Sequence, residues 1–420
     1  MWYYSELLVI GVIRIVVKWL LSMIRKYSLP LDIFTRGVAD IVTQEELDAL
    51  VKSGRHLRVK LGIDATSPDL HIGHAVPLWK IRALQDAGHK AVIILGEFTN
   101  MIGDPTGKDV TRPVLTPHVI RRNIASLKRQ LGMVLKMGAG HLEIRKNSEW
   151  HARMRAGEFL NLCAMVTHAR LIERDMFQER IRAGKEIAMS EMLYPILQGY
   201  DSVAIKSDLT IIGSDQLFNE HYGRFFQEKF GQRPQAIVTL KILPGPDGGE
   251  KMSKSLGNYI GLSDTPQDKF GKAMRLLDAL IIPYLEAYTD VPMDEIRGYE
   301  RELENGTNPR DIKIVFAHAL VRRYHGDDIA EKERARFHET FSQGIVPDSM
   351  PEVAIRAGTW NAIDLVVALG LAPSRAEARR LILQHAVDID GVAMADIRTS
   401  IIVHKGMVMK VGKRRFARIA

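Results

Sequence analysis

The chain has 420 residues, 46% apolar and 26% charged, which is typical of a globular protein of two or more domains and excludes a disordered or fibrous chain. The single cysteine, Cys163, excludes an internal disulfide and a cysteine-based zinc site, and a reducing cytoplasm is the simplest fit. The net charge of +8 is uneven, because residues 360–420 hold 10 basic and 5 acidic side chains while residues 31–359 hold 44 of each. Such a basic tail indicates an appended polyanion-binding module or a solvated basic surface.

An apolar run over residues 7–22 is the one candidate for a targeting segment. No basic residue precedes it, unlike in a signal peptide, and Arg14 and Lys18 inside it would be costly at the centre of a membrane. Met23 follows directly, so our first interpretation is that translation starts there. A surface or membrane-associated helix ranks second and a spanning helix third. We treat residues 1–30 as an N-terminal extension and expect no stable membrane association.

Short apolar runs alternate with longer amphipathic ones from about Leu57 onward. Four runs are predicted as buried strands, namely 57–64, 91–98, 208–213 and 236–243. Residues 75–89 are predicted as a helix with Pro77 in its first turn, and residues 118–135 as a second one with a single apolar face. This alternation predicts an α/β fold, a Rossmann-like doubly wound parallel sheet with ligands beyond the carboxyl ends of its strands.

Breaks in the alternation predict the domain organisation. Residues 31–262 form the Rossmann-like catalytic domain, interrupted by a helical insertion at about 150–200. Residues 263–346 form an α-helical domain, and the PDSMPE segment at 347–352 is predicted as a linker. Residues 353–420 form a small, basic α+β domain.

The motif His71-Ile72-Gly73-His74 follows a predicted strand and a loop, and it opens a predicted helix. Backbone N–H groups and the positive end of the helix dipole favour an anion there. Gly73 allows a ligand to approach the backbone, and the two histidines can donate to phosphate oxygens. The alternative is that both histidines only cap the helix or pack against it.

The string KMSKS at residues 251–255 follows a turn-rich stretch over residues 244–249. Lys251 and Lys254 on such a loop can close over a triphosphate and neutralise the leaving pyrophosphate. The alternative is an ordinary basic surface loop. Together with HIGH, however, this string resembles the paired signatures of class I aminoacyl-tRNA synthetases.

A third motif indicates which amino acid the chain would use as its substrate. Tyr194, Gln198 and Asp201 stand at i, i+4 and i+7 and share one face of a helix, where they can line a polar pocket. A core helix rarely buries Gln and Asp without partners. The segment resembles the YxxxQxxD signature of tyrosyl-tRNA synthetases, and the resemblance extends over residues 31–420, including a tail that resembles the S-four RNA-binding fold.

This resemblance implies the site residues. Those that bind tyrosine would be Asp201 on the phenol, Asp104, Tyr194 and Gln198 on the ammonium, and Asp64 and Gln216 beside the α-carbon and carboxylate. Those that bind ATP would be Gly73, Lys254 and, on the ribose, Asp215. Those that act on the α-phosphate and pyrophosphate would be Thr66, His71, His74, Lys108, Arg112, Lys251 and Lys254.

The resemblance also implies the reaction and its partners. The chain would activate L-tyrosine with ATP and Mg²⁺ and transfer it to tRNA(Tyr), with no metal held by protein side chains. It would act in the cytoplasm as a homodimer, with Leu171–Asp175 within the interface; internal packing of that helix is the alternative. No editing domain is expected.

One residue departs from the family pattern. Many members have a tyrosine two residues before the Gly-x-Asp strand end, and Lys60 stands there in this chain. Either the chain belongs to a divergent branch or the phenol depends more heavily on Asp201. A tryptophanyl-tRNA synthetase is the nearest enzyme alternative, and an inactive RNA-binding or splicing protein is the alternative from another class.

In the tail, Ser374 and Glu377 predict a capping box at the start of an arginine-bearing helix, followed by a strand pair that ends at residues 413–415. Such a helix and hairpin suit an RNA backbone. The alternative is a basic oligomerisation module.

Overall fold

A computed structural model of the chain describes residues 32–64, 67–102, 116–254, 256–342, 350–394, 396–412 and 415–420. Several predicted features lie outside these ranges, namely the N-terminal extension with Met23, residues 65–66 with Thr66, residues 103–115, and Ser255. The chain divides into two compact units, residues 1–330 and residues 331–420. Among the described residues, no helix is both long and apolar enough to cross a membrane.

A six-stranded sheet forms the centre of the first unit, in the order β1-β6-β5-β2-β3-β4. Its strands are β1 (Val38–Val42), β2 (Arg58–Ile63), β3 (Lys90–Leu95), β4 (Leu142–Lys146), β5 (Leu209–Gly213) and β6 (Ala236–Leu240). Five strands run parallel, and β1 pairs antiparallel with β6 at one edge. The chain builds outward from β2 to β4 and then returns to β5, so the direction of winding switches between β2 and β5. The predicted parallel, doubly wound sheet is confirmed.

The helices that surround the sheet bury aliphatic side chains against it. Those before the insertion are α1 (Gln44–Lys52), α2 (Ile72–Asp86) and α3 (Pro117–Leu131). Helix α2 begins at the HIGH motif, as predicted from that motif, and three residues before the predicted run 75–89, so Pro77 lies in its second turn and not in the first. Because proline has no N–H, the carbonyl of Gly73 loses its helical hydrogen bond there.

The predicted helical insertion lies between β4 and β5. It comprises α4 (Ser148–His151), α5 (Ala156–Ala164), α6 (His168–Ile172), α7 (Asp175–Arg182) and α8 (Met189–Ile205). The following helix, α9 (Leu217–Lys229), packs along α8, and a separate apolar cluster joins the two to the insertion. A Cβ at Gly199 of α8 would come within 2.7 Å of Tyr222 on α9, so glycine allows this close approach.

Helices follow the sheet, as predicted, from residue 266 onward: α10 (Pro266–Ala273), α11 (Ile281–Tyr288), α12 (Met293–Glu304), α13 (Pro309–His325) and α14 (Asp327–Ser342). The compact units do not separate at the predicted boundary near residue 262, because the helices up to Ala330 belong to the same unit as the sheet. One reason is Arg36, which donates hydrogen bonds to the carbonyls of Leu285, Glu286 and Val291.

The second unit has its own apolar core around two helices, α15 (Ala362–Ala368) and α16 (Arg375–Leu383). Its strands are β7 (Glu352–Val353), β8 (Gly358–Asn361), β9 (Val387–Ile389), β10 (Val392–Met394), β11 (Ser400–Val403), β12 (Val408–Val411) and β13 (Arg415–Ile419). They form a five-stranded sheet, β10-β9-β12-β13-β7, and a separate pair, β11-β8. Glu352 therefore belongs to a strand and not to the predicted linker.

The predicted capping box of α16 is only half correct. The hydroxyl of Ser374 accepts a hydrogen bond from the backbone N–H of Glu377, as a cap does. The Glu377 carboxylate does not return to Ser374, because it pairs with the guanidinium of Arg380 one turn later. Residues 413 and 414 of the predicted basic hairpin lie outside the described part of the chain.

Candidate active site

A pocket of about 370 Å³ opens at the carboxyl ends of β2 and β5, where the winding of the sheet switches direction. In open parallel sheets this is where ligands bind. Its wall includes most of the predicted site residues, namely Asp64, His71, Gly73, His74, Tyr194, Gln198, Asp201, Asp215, Gln216 and Lys251. Residues 130 or more positions apart in the sequence therefore meet in one cavity.

Asp64 follows β2 and is held on both carboxylate oxygens. Its Oδ2 accepts a hydrogen bond from the hydroxyl of Tyr194 at 2.9 Å, and its Oδ1 accepts one from Thr99 at 3.2 Å. Asn147 donates in turn to the Thr99 hydroxyl. A Cβ on Gly96 would come within 2.0 Å of Asp64 Oδ1, so only glycine leaves room for this carboxylate. The pair Asp64–Tyr194 is thus preorganised.

Gln198 and Gln216 are connected through Asn219, a fully buried residue on α9. The Asn219 amide nitrogen donates to the Oε1 atoms of both glutamines, at 2.8 and 3.1 Å. The Gln198 amide nitrogen donates to Glu220 Oε1 at 3.0 Å. Both amides therefore have defined orientations. Sequence analysis missed Asn219, although its spacing of three from Gln216 places both on one helical face.

Lys60 is buried in β2 and does not line the pocket. Its ammonium lies 2.8 Å from Glu220 Oε2 and donates to Ser202 Oγ at 2.7 Å. Gln235 also donates to Glu220 Oε2. Lys60 thus neutralises the carboxylate of Glu220, which does line the pocket. This is the role of the lysine that stands where many family members have a tyrosine.

Asp201 lies on the same face of α8 as Tyr194 and Gln198, and it is a buried residue of the pocket wall. Its Oδ1 accepts two hydrogen bonds, from Trp150 Nε1 and from His151 Nε2, both at 2.8 Å. No donor among the described residues reaches Oδ2. Asp201 therefore retains acceptor capacity at its second oxygen. Neither Trp150 nor His151 was predicted, since each is a lone residue in a helical stretch.

The HIGH histidines stand at the start of α2, with ring centroids 3.7 Å apart. Burial, together with the neighbouring His74 and Lys251, lowers the pKa of His71 to about 2. Desolvation by the surrounding protein and then Lys251 lower the pKa of His74 to about 4, although the residue is exposed by its solvent-accessible surface. Both rings are neutral at neutral pH and act as hydrogen-bonding groups. A Cβ on Gly73 would come within 3.0 Å of the His71 ring.

Each lysine of the KMSKS string pairs with a carboxylate that lines the pocket. Lys251 Nζ lies 2.9 Å from Asp215 Oδ2, and Lys254 pairs with Asp69. Both pairs are partly exposed to solvent. Buried Met252, between the lysines, lines the pocket close to Gly73. Met252 anchors the string, while the lysine heads remain exchangeable.

The structure brings eleven predicted site residues to this region, ten in the pocket wall and Lys254 through its partner Asp69. Thr66, Asp104, Lys108 and Arg112 lie outside the described residues. Within the described part of the chain, no group of three or more His, Cys, Asp or Glu side chains is arranged to hold a metal ion.

The pocket and its motifs agree with comparisons of the whole chain. Residues 52–342 match the family model described as tRNA synthetases class I (W and Y), and residues 341–419 match the tyrosine--tRNA ligase SYY-like C-terminal domain. The chain belongs to the class I tRNA synthetases.

Similar proteins indicate which family within that class the chain belongs to. A tyrosine--tRNA ligase of Thermotoga maritima is 44% identical over 389 residues, which are 92% of this chain and 96% of the relative. Another, from Moorella thermoacetica, is 43% identical over 394 residues, 93% of this chain and 95% of the relative. Within the class, the chain is a member of the tyrosine--tRNA ligase family.

Solved structures share the fold. A C-terminally truncated mitochondrial tyrosyl-tRNA synthetase of Aspergillus nidulans matches with a TM-score of 0.61 and 19% identity, covering 76% of this chain and 93% of that one. A tyrosyl-tRNA synthetase of Archaeoglobus fulgidus, complexed with L-tyrosine, matches with a TM-score of 0.57 and 22% identity, covering 72% and 98%.

Proposed function

We propose that the chain is a tyrosine--tRNA ligase, which activates L-tyrosine with ATP and transfers it to tRNA(Tyr). The observation that carries this proposal is one pocket with two chemically distinct ends. A buried carboxylate acceptor, Asp201, lies at one end, and the HIGH and KMSKS residues lie at the other.

In the first step, the tyrosine carboxylate attacks the α-phosphate of ATP, forming tyrosyl-adenylate and releasing pyrophosphate. In the second, the tyrosyl group passes to the terminal adenosine of the tRNA and AMP leaves. No side chain needs to act as a covalent nucleophile. The protein contributes by positioning the reactants and by stabilising charge.

At the amino-acid end, we assign Asp201 Oδ2 to accept the hydrogen bond of the substrate phenol. Tyr194 and Gln198 face the ammonium together with Asp104, and Asp64 and Gln216 lie beside the α-carbon and carboxylate. Phenylalanine would leave the buried Asp201 oxygen without a partner, which disfavours it. Tyrosyl-tRNA synthetases are themselves the known example of such rejection, which needs no editing step. An indole would present a different donor geometry to Asp201, which argues against tryptophan.

At the nucleotide end, His71 and His74 are assigned to the reacting phosphate, with Thr66 beside them. Lys251 and Lys254 are assigned to the pyrophosphate, with Lys108 and Arg112. Gly73 allows ATP to approach the start of α2. Asp215 is assigned to the ribose, so Lys251 must leave it as ATP binds. Since the carboxylates of Asp69 and Asp215 already pair with lysines, we infer that Mg²⁺ arrives on the phosphates of ATP.

We further propose that residues 263–346 contact the anticodon region and that residues 353–420 bind the RNA backbone. Exposed Arg375, Arg379 and Arg380 on α16 support the second assignment. The enzyme would act in the cytoplasm as a homodimer. Large apolar side chains of the insertion support an interface there, since Leu160 and Met189 are 66% and 68% exposed; Leu171, in contrast, packs inside the chain.

Pyrophosphate exchange into ATP, measured with each of the twenty amino acids, tests the activity. Tyrosine alone should support exchange. Exchange with tryptophan would favour the related enzyme, and no exchange at all would favour an inactive RNA-binding protein.

Deleting residues 343–420, which are most of the second unit, tests the RNA assignment. A chain ending at residue 342 should keep tyrosine-dependent exchange, because the whole pocket lies in the first unit. Charging of tRNA should fall steeply at low tRNA concentration, since phosphate contacts provide salt-dependent affinity. Full charging by the shortened chain would contradict the assignment. Sedimentation of the full chain checks the dimer.

A further inference from the structure

The side chains behind Asp201 do not line the pocket, yet they determine what its carboxylate can do. His151 is the last residue of α4, and its side chain is 1% exposed. Its Nε2 lies 2.8 Å from Asp201 Oδ1, the oxygen that also accepts from Trp150. Both donors thus approach the same oxygen, and no donor among the described residues reaches Oδ2.

The hydrogen bond defines the proton position on the ring. An ionised carboxylate only accepts, so His151 must carry its proton on Nε2 to donate to Asp201. The other nitrogen, Nδ1, is buried and has no hydrogen-bond partner among the described residues. The ring is instead enclosed by aromatic neighbours, with the centroids of Phe98 and Tyr200 at 5.3 and 6.0 Å. Among the described residues, the His151 side chain therefore has one polar partner, Asp201.

We propose that His151 is a positioning residue that sets the selectivity for tyrosine over phenylalanine. It holds the Asp201 carboxylate turned so that Oδ2 faces the substrate phenol. This inference rests on the proposed function, because it requires Asp201 to be the phenol acceptor.

The physical reason lies in the cost of a buried charge. A carboxylate out of water needs hydrogen-bond donors, and without them it rotates toward other partners. A rotated Asp201 would no longer present Oδ2 to the substrate phenol. Losing His151 should therefore relax the rejection of phenylalanine more than it weakens the ATP end of the pocket.

The test uses the full chain with His151→Leu, which removes the donor and keeps an apolar side chain, and His151→Gln, which restores an N–H near the Nε2 position. We expect His151→Leu to lower the ratio of kcat/KM for tyrosine to that for phenylalanine by about tenfold or more, the value of a hydrogen bond to a charged group. His151→Gln should recover most of the ratio. The KM for ATP should change little in either variant.

Tyr200→Phe is the matched control, since it alters a ring neighbour of His151 without removing a donor to Asp201. A selectivity ratio unchanged in His151→Leu would overturn the inference, as would an equal loss in Tyr200→Phe. If His151→Leu does not fold, the folded variants His151→Gln and Trp150→Phe provide the test. Loss of selectivity in His151→Gln, which keeps a donor, together with full selectivity in Trp150→Phe, which loses one, would show that donors to Asp201 do not set selectivity.

Asp201→Ala, which has no acceptor, separates the role of His151 from that of Asp201 itself. If Asp201→Ala loses selectivity and His151→Leu retains it, only the role of His151 is wrong. If Asp201→Ala retains selectivity, the phenol assignment itself fails.

Discussion

The two ends of the pocket are built in opposite ways. At the amino-acid end, Asp201, Asn219 and Glu220 are buried, and each is held by side chains of the protein itself. At the nucleotide end, Lys251 and Lys254 are about half exposed and pair with carboxylates that a ligand can displace. One end is preformed, and under the proposed function the other exchanges its partners during the reaction.

This difference separates recognition from chemistry. Selectivity requires buried groups that a wrong substrate leaves unpaired, so their orientation must be set before binding. Charge stabilisation of pyrophosphate requires cations that move with the reacting groups, and exposed ion pairs release them at little cost. The two ends should therefore respond differently to substitution, most strongly where a buried charge loses its partner.

Lys60→Met should have the largest effect of the substitutions considered, and the effect should be a loss of stability. It leaves the buried Glu220 carboxylate without its cation, so we expect a loss of about 3–5 kcal/mol in the free energy of unfolding. Urea denaturation measures it. The double variant Lys60→Met, Glu220→Gln should recover much of the loss because no charge remains unpaired. A single variant as stable as the native chain would show that the pair does not support the preformed end.

Asp201→Ala should abolish most tyrosine activation while ATP binding remains. Loss of an acceptor for the phenol costs up to about 3 kcal/mol, or roughly a hundredfold in kcat/KM. Pyrophosphate exchange measures it, with the exposed carboxylate variant Asp48→Ala as control. If Asp201→Ala still strongly prefers tyrosine over phenylalanine, the acceptor lies elsewhere.

Lys254→Ala and His71→Ala should lower kcat for adenylate formation by about a hundredfold, with little change in the KM for tyrosine, since both act mainly in the transition state. Single-turnover kinetics separate the two constants. Lys52→Ala, at an exposed lysine of the same unit away from the pocket, serves as a control for general loss of charge. A rise in KM with kcat unchanged would place these residues in ground-state binding.

The pH dependence should show the smallest effect. The lowered pKa values of His71, about 2, and His74, about 4, keep both rings neutral, so neither should produce a step in exchange rate between about pH 6 and pH 8. In the unfolded chain these histidines protonate near their ordinary value. Their contribution to stability should therefore fall as the pH drops below about 6.5 toward the folded values. A step near pH 7 that His74→Asn removes would contradict this.

The sequence was sufficient for the fold because each central strand of the parallel sheet is a short apolar run bounded by polar turns. Strands β1 and β4 were not predicted, since VADIV and LEIRK mix polar with apolar residues at the sheet edges. The run 75–89 began too late because proline is favoured in a first turn, whereas α2 starts at the HIGH motif and has Pro77 in its second turn.

The site was predictable where its residues share a local pattern. Tyr194, Gln198 and Asp201 follow helical spacing, and both motifs are contiguous strings. The supporting residues could not be predicted in the same way. His151 reaches Asp201, and Lys60 reaches Glu220, only after folding brings together elements 50 and 160 positions apart in the sequence.

The glycine contact between α8 and α9 has a consequence for redesign of the amino-acid pocket. Gly199 brings α8 against Tyr222 and Phe226 through backbone and ring contacts that involve none of the substrate-facing side chains. The spacing of the two helices is therefore independent of what stands at position 201. A library that varies Asp201 but retains Gly199, and Gln198 with its hydrogen bonds to Asn219 and Glu220 on α9, should yield folded proteins whose substrate preference changes, and this pocket is a practical starting point for charging tRNA with unnatural amino acids.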